Sequence, residues 1–312
     1  MKRMLLLAGL VLLAGCGNKT DLVRIDLGKS SPERLLKFYF GGYAAPDAAD
    51  PMATGLIVAQ TDGYFLNPAL LDEGYRGQLD DAAADGVLNW DELEPFLQQT
   101  YYSARSAPAT LEALISPDLF RSGEGAWMML PVDGVMTTAR RQIYIEREKV
   151  AAALAQYAAQ NRRIIYPEGT VIVGDHVADE RVVETTVMKK RADGMWDYFV
   201  YDAAGMLMTA TATEPRPLAV PTRCVGCHFG DKQFEPARSY PEPASPGPHG
   251  PRGIDLPTTP YDAVLVETLD EHTKRSDSVL GLYATRYLGE LLLKGEARTA
   301  AEQALLDEIG TF

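Results

Sequence analysis

Thr170-Val171-Ile172-Val173-Gly174-Asp175 is a short apolar run that begins just past the turn Tyr166-Pro167-Glu168-Gly169. It opens a series. Residues 182–190 follow, then the turn Ala192-Asp193-Gly194, residues 195–201, the turn Asp202-Ala203-Ala204-Gly205, and residues 206–213. Short β-rich runs divided by Gly- and Asp-bearing turns specify an antiparallel meander. Upstream, Ile143-Tyr144-Ile145 reads as another short strand. Residues 147–160 read as an Ala-rich helix with Val150, Leu154, Tyr157 and Ala158 on one face. Pro215, Pro217 and Pro221 end the meander. The expected fold class is α+β, an antiparallel sheet with helices before and after it.

Directly beyond those prolines stands Cys224-Val225-Gly226-Cys227-His228. Two cysteines three apart with a histidine next to the second form the attachment pattern of a c-type haem. The thiols of Cys224 and Cys227 add to the two vinyl groups, and the His228 imidazole then reaches the iron as proximal ligand. With 3 Cys and 4 His in 312 residues, chance yields the pattern about 4 times in 10,000 such chains, which favours chemistry over coincidence. The competing reading is a redox or zinc-binding cysteine pair that happens to precede a histidine. All 10 methionines lie before residue 224, so no downstream methionine is on hand as a second iron ligand.

The N-terminus assigns a compartment. Lys2 and Arg3 precede an apolar run, residues 4–13, too short to span a bilayer as a mature helix. Leu13-Ala14-Gly15-Cys16 then has the form of a bacterial lipobox, with residues 1–15 removed and lipid carried on Cys16. An ordinary signal peptide with an incidental cysteine is the alternative. Gly17, in place of the aspartate that retains such proteins at the inner membrane, points to the outer membrane. The cysteines are thereby all assigned, one to lipid and two to haem, and none is left for a disulfide. At 46% hydrophobic residues the chain can build a core without one. Its net charge of −13 becomes two units more negative when the leader and its two cations leave. Such a surface argues against nucleic acid and anionic lipid as partners, and suits solubility or docking to a basic redox partner.

Residues 16–29 read as a polar tether and residues 30–120 as a mostly helical region. Within it, residues 81–92 resemble an EF-hand loop, with Asp81 and Asp85 acidic at its first and fifth positions. Gly86 supplies the sharp turn, Val87 a carbonyl, and Leu88 an inward apolar side chain; Asn89 stands ninth and Glu92 closes the loop. Ala83 removes the third-position oxygen, and the only partner segment, Thr61-Asp62-Gly63-Tyr64-Phe65, has no closing glutamate. Calcium at Asp81, Asp85, Val87, Asn89 and Glu92 stands against a helix-loop-helix that keeps the shape without the ion. Residues 236–260 are dense in Pro and Gly and read as a linker; residues 261–312 read as amphipathic helices with Leu265, Leu269, Leu282, Tyr283, Tyr287 and Leu291 packing.

From Ile143-Tyr144-Ile145 to Cys224-Val225-Gly226-Cys227-His228, the order of signatures resembles the cytochrome P-460 family, including the cytochromes c′-β. The intervening matches are Tyr166-Pro167-Glu168-Gly169-Thr170-Val171-Ile172-Val173, Thr186-Val187-Met188-Lys189-Lys190 and Trp196-Asp197-Tyr198-Phe199. The resemblance covers residues 121–235. It implies a mainly antiparallel haem domain, a five-coordinate haem with His228 proximal, and small nitrogen species at the open face. It also implies a strand lysine cross-linked to the haem in members that oxidise hydroxylamine. That position is Gly174 here, which weakens the oxidase reading. Lys189 and Lys190 read as surface charges. His176 shares a strand face with Gly174 if the strand continues, making it a candidate distal ligand; an exposed histidine in a turn is the alternative. His272 and His249 are lesser candidates. Three functions follow: a periplasmic haem lipoprotein for electron transfer or NO-like ligand binding, an oxidoreductase acting on hydroxylamine, NO or peroxide, and a structural or sensor lipoprotein with a calcium module.

Overall fold

The computed structural model describes residues 22–28, 33–43, 50–122, 125–133, 139–157, 159, 164–213, 219–222, 224 and 281–309. The expected leader (1–15), Cys16, Cys227, His228, His249, His272, the linker 236–260, and Leu265 and Leu269 lie outside them.

The larger sheet is a six-stranded antiparallel meander. Its strands are β5 (Trp127–Asp133), β6 (Arg140–Glu146), β7 (Val171–Ala178), β8 (Arg181–Lys190), β9 (Trp196–Asp202) and β10 (Leu207–Met208), in spatial order β10-β9-β8-β7-β6-β5. Each strand therefore lies beside its neighbour in the chain. β7 and β8 are joined by Asp179 and Glu180, both at positive φ (47° and 61°), which gives the two-residue turn the twist a hairpin favours. A bulge beyond His176 sets Val177 opposite Val182, while His176 stays opposite Glu184. β5 is a strand that the sequence pattern did not signal, because Pro131 interrupts it. Proline is tolerated there because β5 is an edge strand.

Side-chain alternation gives the sheet two faces. Val173, Val187, Phe199 and Tyr201 point to one, where Leu111 of α4 (Leu111–Leu114) and Phe120 of α5 (Pro117–Phe120) cover them. Ile143, Ile145, Ile172, Met188, Tyr198 and Val200 point to the other and belong to the main core. The helix after β6, α6 (Arg147–Gln156), buries Val150, Ala153 and Leu154 in that core. Helices α7 (Gly281–Lys294) and α8 (Ala300–Ile309) close over it, contributing Tyr283, Tyr287, Leu288, Leu291, Leu305 and Ile309. Arg147 of α6 is ion-paired with Glu290 of α7.

The region expected to be mostly helical holds a second sheet as well. Its strands are β1 (Val23–Asp26), β2 (Ile57–Gln60), β3 (Gly63–Leu66) and β4 (Val87–Asn89), in order β2-β3-β1-β4, with β1 and β4 parallel. Strands of three and four residues are too short to display an alternating pattern. β1 falls in the stretch read as tether, and it is tied down because Val23 and Ile25 are buried. The helices α1 (Glu33–Phe40), α2 (Glu73–Ala82) and α3 (Trp90–Ala104) pack around this sheet and carry its core onto the larger one.

Candidate functional site

Cys224 is the described part of the Cys-x-x-Cys-His stretch, and its place is set by three contacts. After β10, Ala210 bridges Ala219, and the Val220 N–H donates to the Thr209 carbonyl at 2.9 Å. Thr222 Oγ1 then donates to Glu94 Oε1 of α3 at 2.8 Å. Cys224, half-buried, packs on the main core, the same sheet face that carries Gly174 and His176. The facing row runs Met208, Val200, Thr186, Gly174, Ile143 across β10 to β6. From Met208 to Gly174 is three strand spacings, about 14 Å.

His176 lies within β7, 1% exposed, and not in an exposed turn. Its Nδ1 is 2.6 Å from Thr213 Oγ1, and Thr213 Oγ1 donates its single proton to Glu184 Oε1 at 3.1 Å. The hydroxyl therefore accepts from Nδ1–H, and Nε2 is left with a lone pair. That Nε2 is buried and has no hydrogen-bond partner among the described residues. The other oxygen of Glu184 accepts the Ala212 N–H. A carboxylate behind the far nitrogen of an imidazole is the arrangement that orients metal-ligating histidines. Burial, and secondarily the nearby Arg141 guanidinium, push the His176 ionisation down to about 3, so the ring is neutral at ordinary pH.

Gly174 stands beside this pair. A side chain there would meet Thr186 Oγ1 at 2.9 Å, Ile143 Cδ1 at 3.0 Å and Arg141 Nη2 at 3.2 Å. Arg141 thus occupies the space in front of the glycine; among the described residues it has one long hydrogen bond, to Thr186 Oγ1 (3.5 Å), and its buried Nε has no partner. The polar end of the sheet face therefore presents a neutral imidazole nitrogen and a guanidinium together. The imidazole nitrogen can offer a lone pair and the guanidinium can donate hydrogen bonds.

The pattern of residues pointed to Gly174, His176 and Cys224, and the fold puts all three on one face. It did not point to Glu184, Thr213 or Arg141. The available signal for Glu184 was a carboxylate at an inward position of Val182–Lys190, where it is fully buried. Lys189 is exposed, as expected of a surface charge. Lys190 is not. It is buried, donates to the Gly194 carbonyl and lies 4.8 Å over the Trp196 ring, because alternation turns it inward.

The loop 81–92 has a helix-capping geometry. Asn89 Oδ1 accepts from the N–H groups of Asp91 (2.9 Å) and Glu92 (3.2 Å), while Glu92 Oε2 accepts from Asn89 N–H at 2.9 Å. This reciprocal pair is a capping box at the start of α3. Asp85 Oδ1 accepts the Val87 N–H at 3.0 Å. The loop strand β4 pairs with β1 and not with residues 61–65, whose strand β3 lies on the far side of β1. Among the described residues no three His, Cys, Asp or Glu side chains converge as a metal site, and no helix is long and apolar enough to cross a membrane. No protein-family model, curated protein or solved structure matches the chain.

Proposed function

We propose that this chain is a lipid-anchored periplasmic c-type haem protein that transfers single electrons, with Cys224 and Cys227 holding the haem, His228 proximal and His176 distal. The observation that carries this reading is the buried Nε2 of His176, without a hydrogen-bond partner among the described residues, on the face where Cys224 packs. Bound there, a haem supplies the redox-active iron. The residues present fit such a group. Glu184 and Thr213 fix the imidazole tautomer that leaves the Nε2 lone pair for a metal. The resemblance to cytochrome P-460 and c′-β domains supports the haem, and Gly174 in place of the cross-linking lysine argues against hydroxylamine oxidation. Two histidine ligands leave the iron no open position, which favours electron transfer over turnover. A periplasmic redox protein is the matching partner.

The test is absorption spectroscopy of the oxidised protein before and after His176→Ala. Loss of the distal nitrogen shifts the spectrum from a six-coordinate low-spin to a high-spin form; an unchanged spectrum overturns the assignment of His176. A second reading, binding of a small ligand such as NO, is favoured by Arg141, whose guanidinium beside His176 has a single long hydrogen bond among the described residues. Under that reading NO changes the spectrum of the unaltered protein, and Arg141→Ala speeds NO release. Acyl labelling that is lost in Cys16→Ser tests the anchor, and fractionation tests the outer membrane.

A further inference from the structure

The smaller sheet has a cleft at the end where the chain enters β1. Its volume is about 350 Å³, and Val23, Pro68, Ala69, Ala83 and Ala84 give it apolar walls. Arg76 of α2 fixes its shape. The guanidinium donates to the carbonyls of Pro68 (3.1 Å), Leu71 (3.0 Å) and Ala69 (3.4 Å), which ties the 3-10 turn Pro68–Leu70 to the helix. Asp80, the other charged residue of the lining, is exposed.

α2 is anchored by one side and open on the other. Of its 10 residues only Leu79 is buried, while Glu73, Gly77 and Asp80 recur at helical spacing and share an exposed face. Gly77 is the telling residue on that face. Glycine weakens a helix interior relative to alanine, because it has more backbone freedom to lose. A methyl group on Gly77 would meet nothing within 4 Å among the described residues. The fold itself therefore gives no reason to prefer glycine there, whereas a second backbone approaching from outside does. The surrounding charge selects what approaches. Across residues 68–86, Asp72, Glu73, Asp80, Asp81 and Asp85 are all exposed, against the single cation Arg76.

We propose that the cleft and the Gly77 face of α2 dock a cationic polypeptide segment of a partner protein. Its backbone lies against Gly77, an apolar side chain enters between Pro68 and Ala84, and a lysine or arginine reaches Asp80. The acidic surround draws such a segment in and repels an anionic ligand or a second copy of this chain, whose net charge is −13. The inference goes beyond the haem reading and stands without it.

The experiment titrates the full-length protein, with EDTA present, into a fluorescein-labelled peptide of alternating alanine and lysine and follows anisotropy. Binding is expected to weaken about tenfold in Asp80→Lys and in Gly77→Ala. Gly77→Ala should at the same time raise the urea midpoint, since the methyl strengthens the helix and meets nothing in the fold. A stabilised variant that has lost binding separates docking from folding. Binding that ignores Gly77→Ala overturns the inference. So does binding that Glu308→Lys, on the exposed side of α8, weakens as much as Asp80→Lys, because the attraction is then to net charge alone. A dimer in sedimentation velocity that Gly77→Ala abolishes assigns the face to a second copy. An affinity that rises in Lys19→Ala assigns it to the segment before β1. Either of these results overturns the cationic partner.

Discussion

His176 enters the folded state neutral, and that has a cost in acid. The unfolded chain binds a proton on this ring near pH 6.5, whereas burial delays it in the fold to about 3. The stability that the neutral ring contributes is complete above the higher value and is lost as pH falls through the window between them. The loss amounts to as much as about 1.4 kcal/mol per pH unit. Urea midpoints measured from pH 7 down to pH 4 should therefore fall, and should fall less steeply in His176→Gln. Gly174 makes a second residue-scale case. Gly174→Ala places a methyl against Thr186 Oγ1, Ile143 and Arg141 and is expected to cost about 1–3 kcal/mol in chemical denaturation. A substitution there without cost would mean that the sheet face has more room than these distances allow.

α3 shows how one element serves two ends. At its start, the reciprocal hydrogen bonds of Asn89 and Glu92 cap the helix; at its other end, Tyr101 and Tyr102 reach the larger sheet. Glu92→Ala removes half of the capping box, and calcium-free samples should lose about 1 kcal/mol of stability. We propose calcium ligation by the same loop as a separate contribution. Calorimetry should then show a binding heat for the unaltered protein that is absent from Glu92→Ala. If no heat appears while the calcium-free loss persists, the loop is a cap alone. The loop was legible because its spacing is local. Its partner strand was not, since β1 lies more than sixty residues earlier in the chain and pairs in parallel.

Across the whole molecule, one apolar core joins the N-terminal sheet, one face of the meander and the C-terminal helices. Leu288 of α7 is 1% exposed in that core, so Leu288→Ala should cost about 2–5 kcal/mol and lower the thermal midpoint, as followed by circular dichroism. By itself, the sequence determined the meander, because strands separated by tight turns can only lie beside their neighbours. It also determined the expectation of haem and lipid attachment, which reside in contiguous motifs. Tertiary structure alone decided the rest of the candidate site. Glu184 meets Ala212 and Thr213 from 28 and 29 residues away, Thr222 meets Glu94 across 128, and Arg141 fills the space at Gly174 from a neighbouring strand. The physical reason is range. Side-chain periodicity encodes which face a residue takes, while the tautomer of His176 depends on hydrogen-bond partners that only packing brings to it.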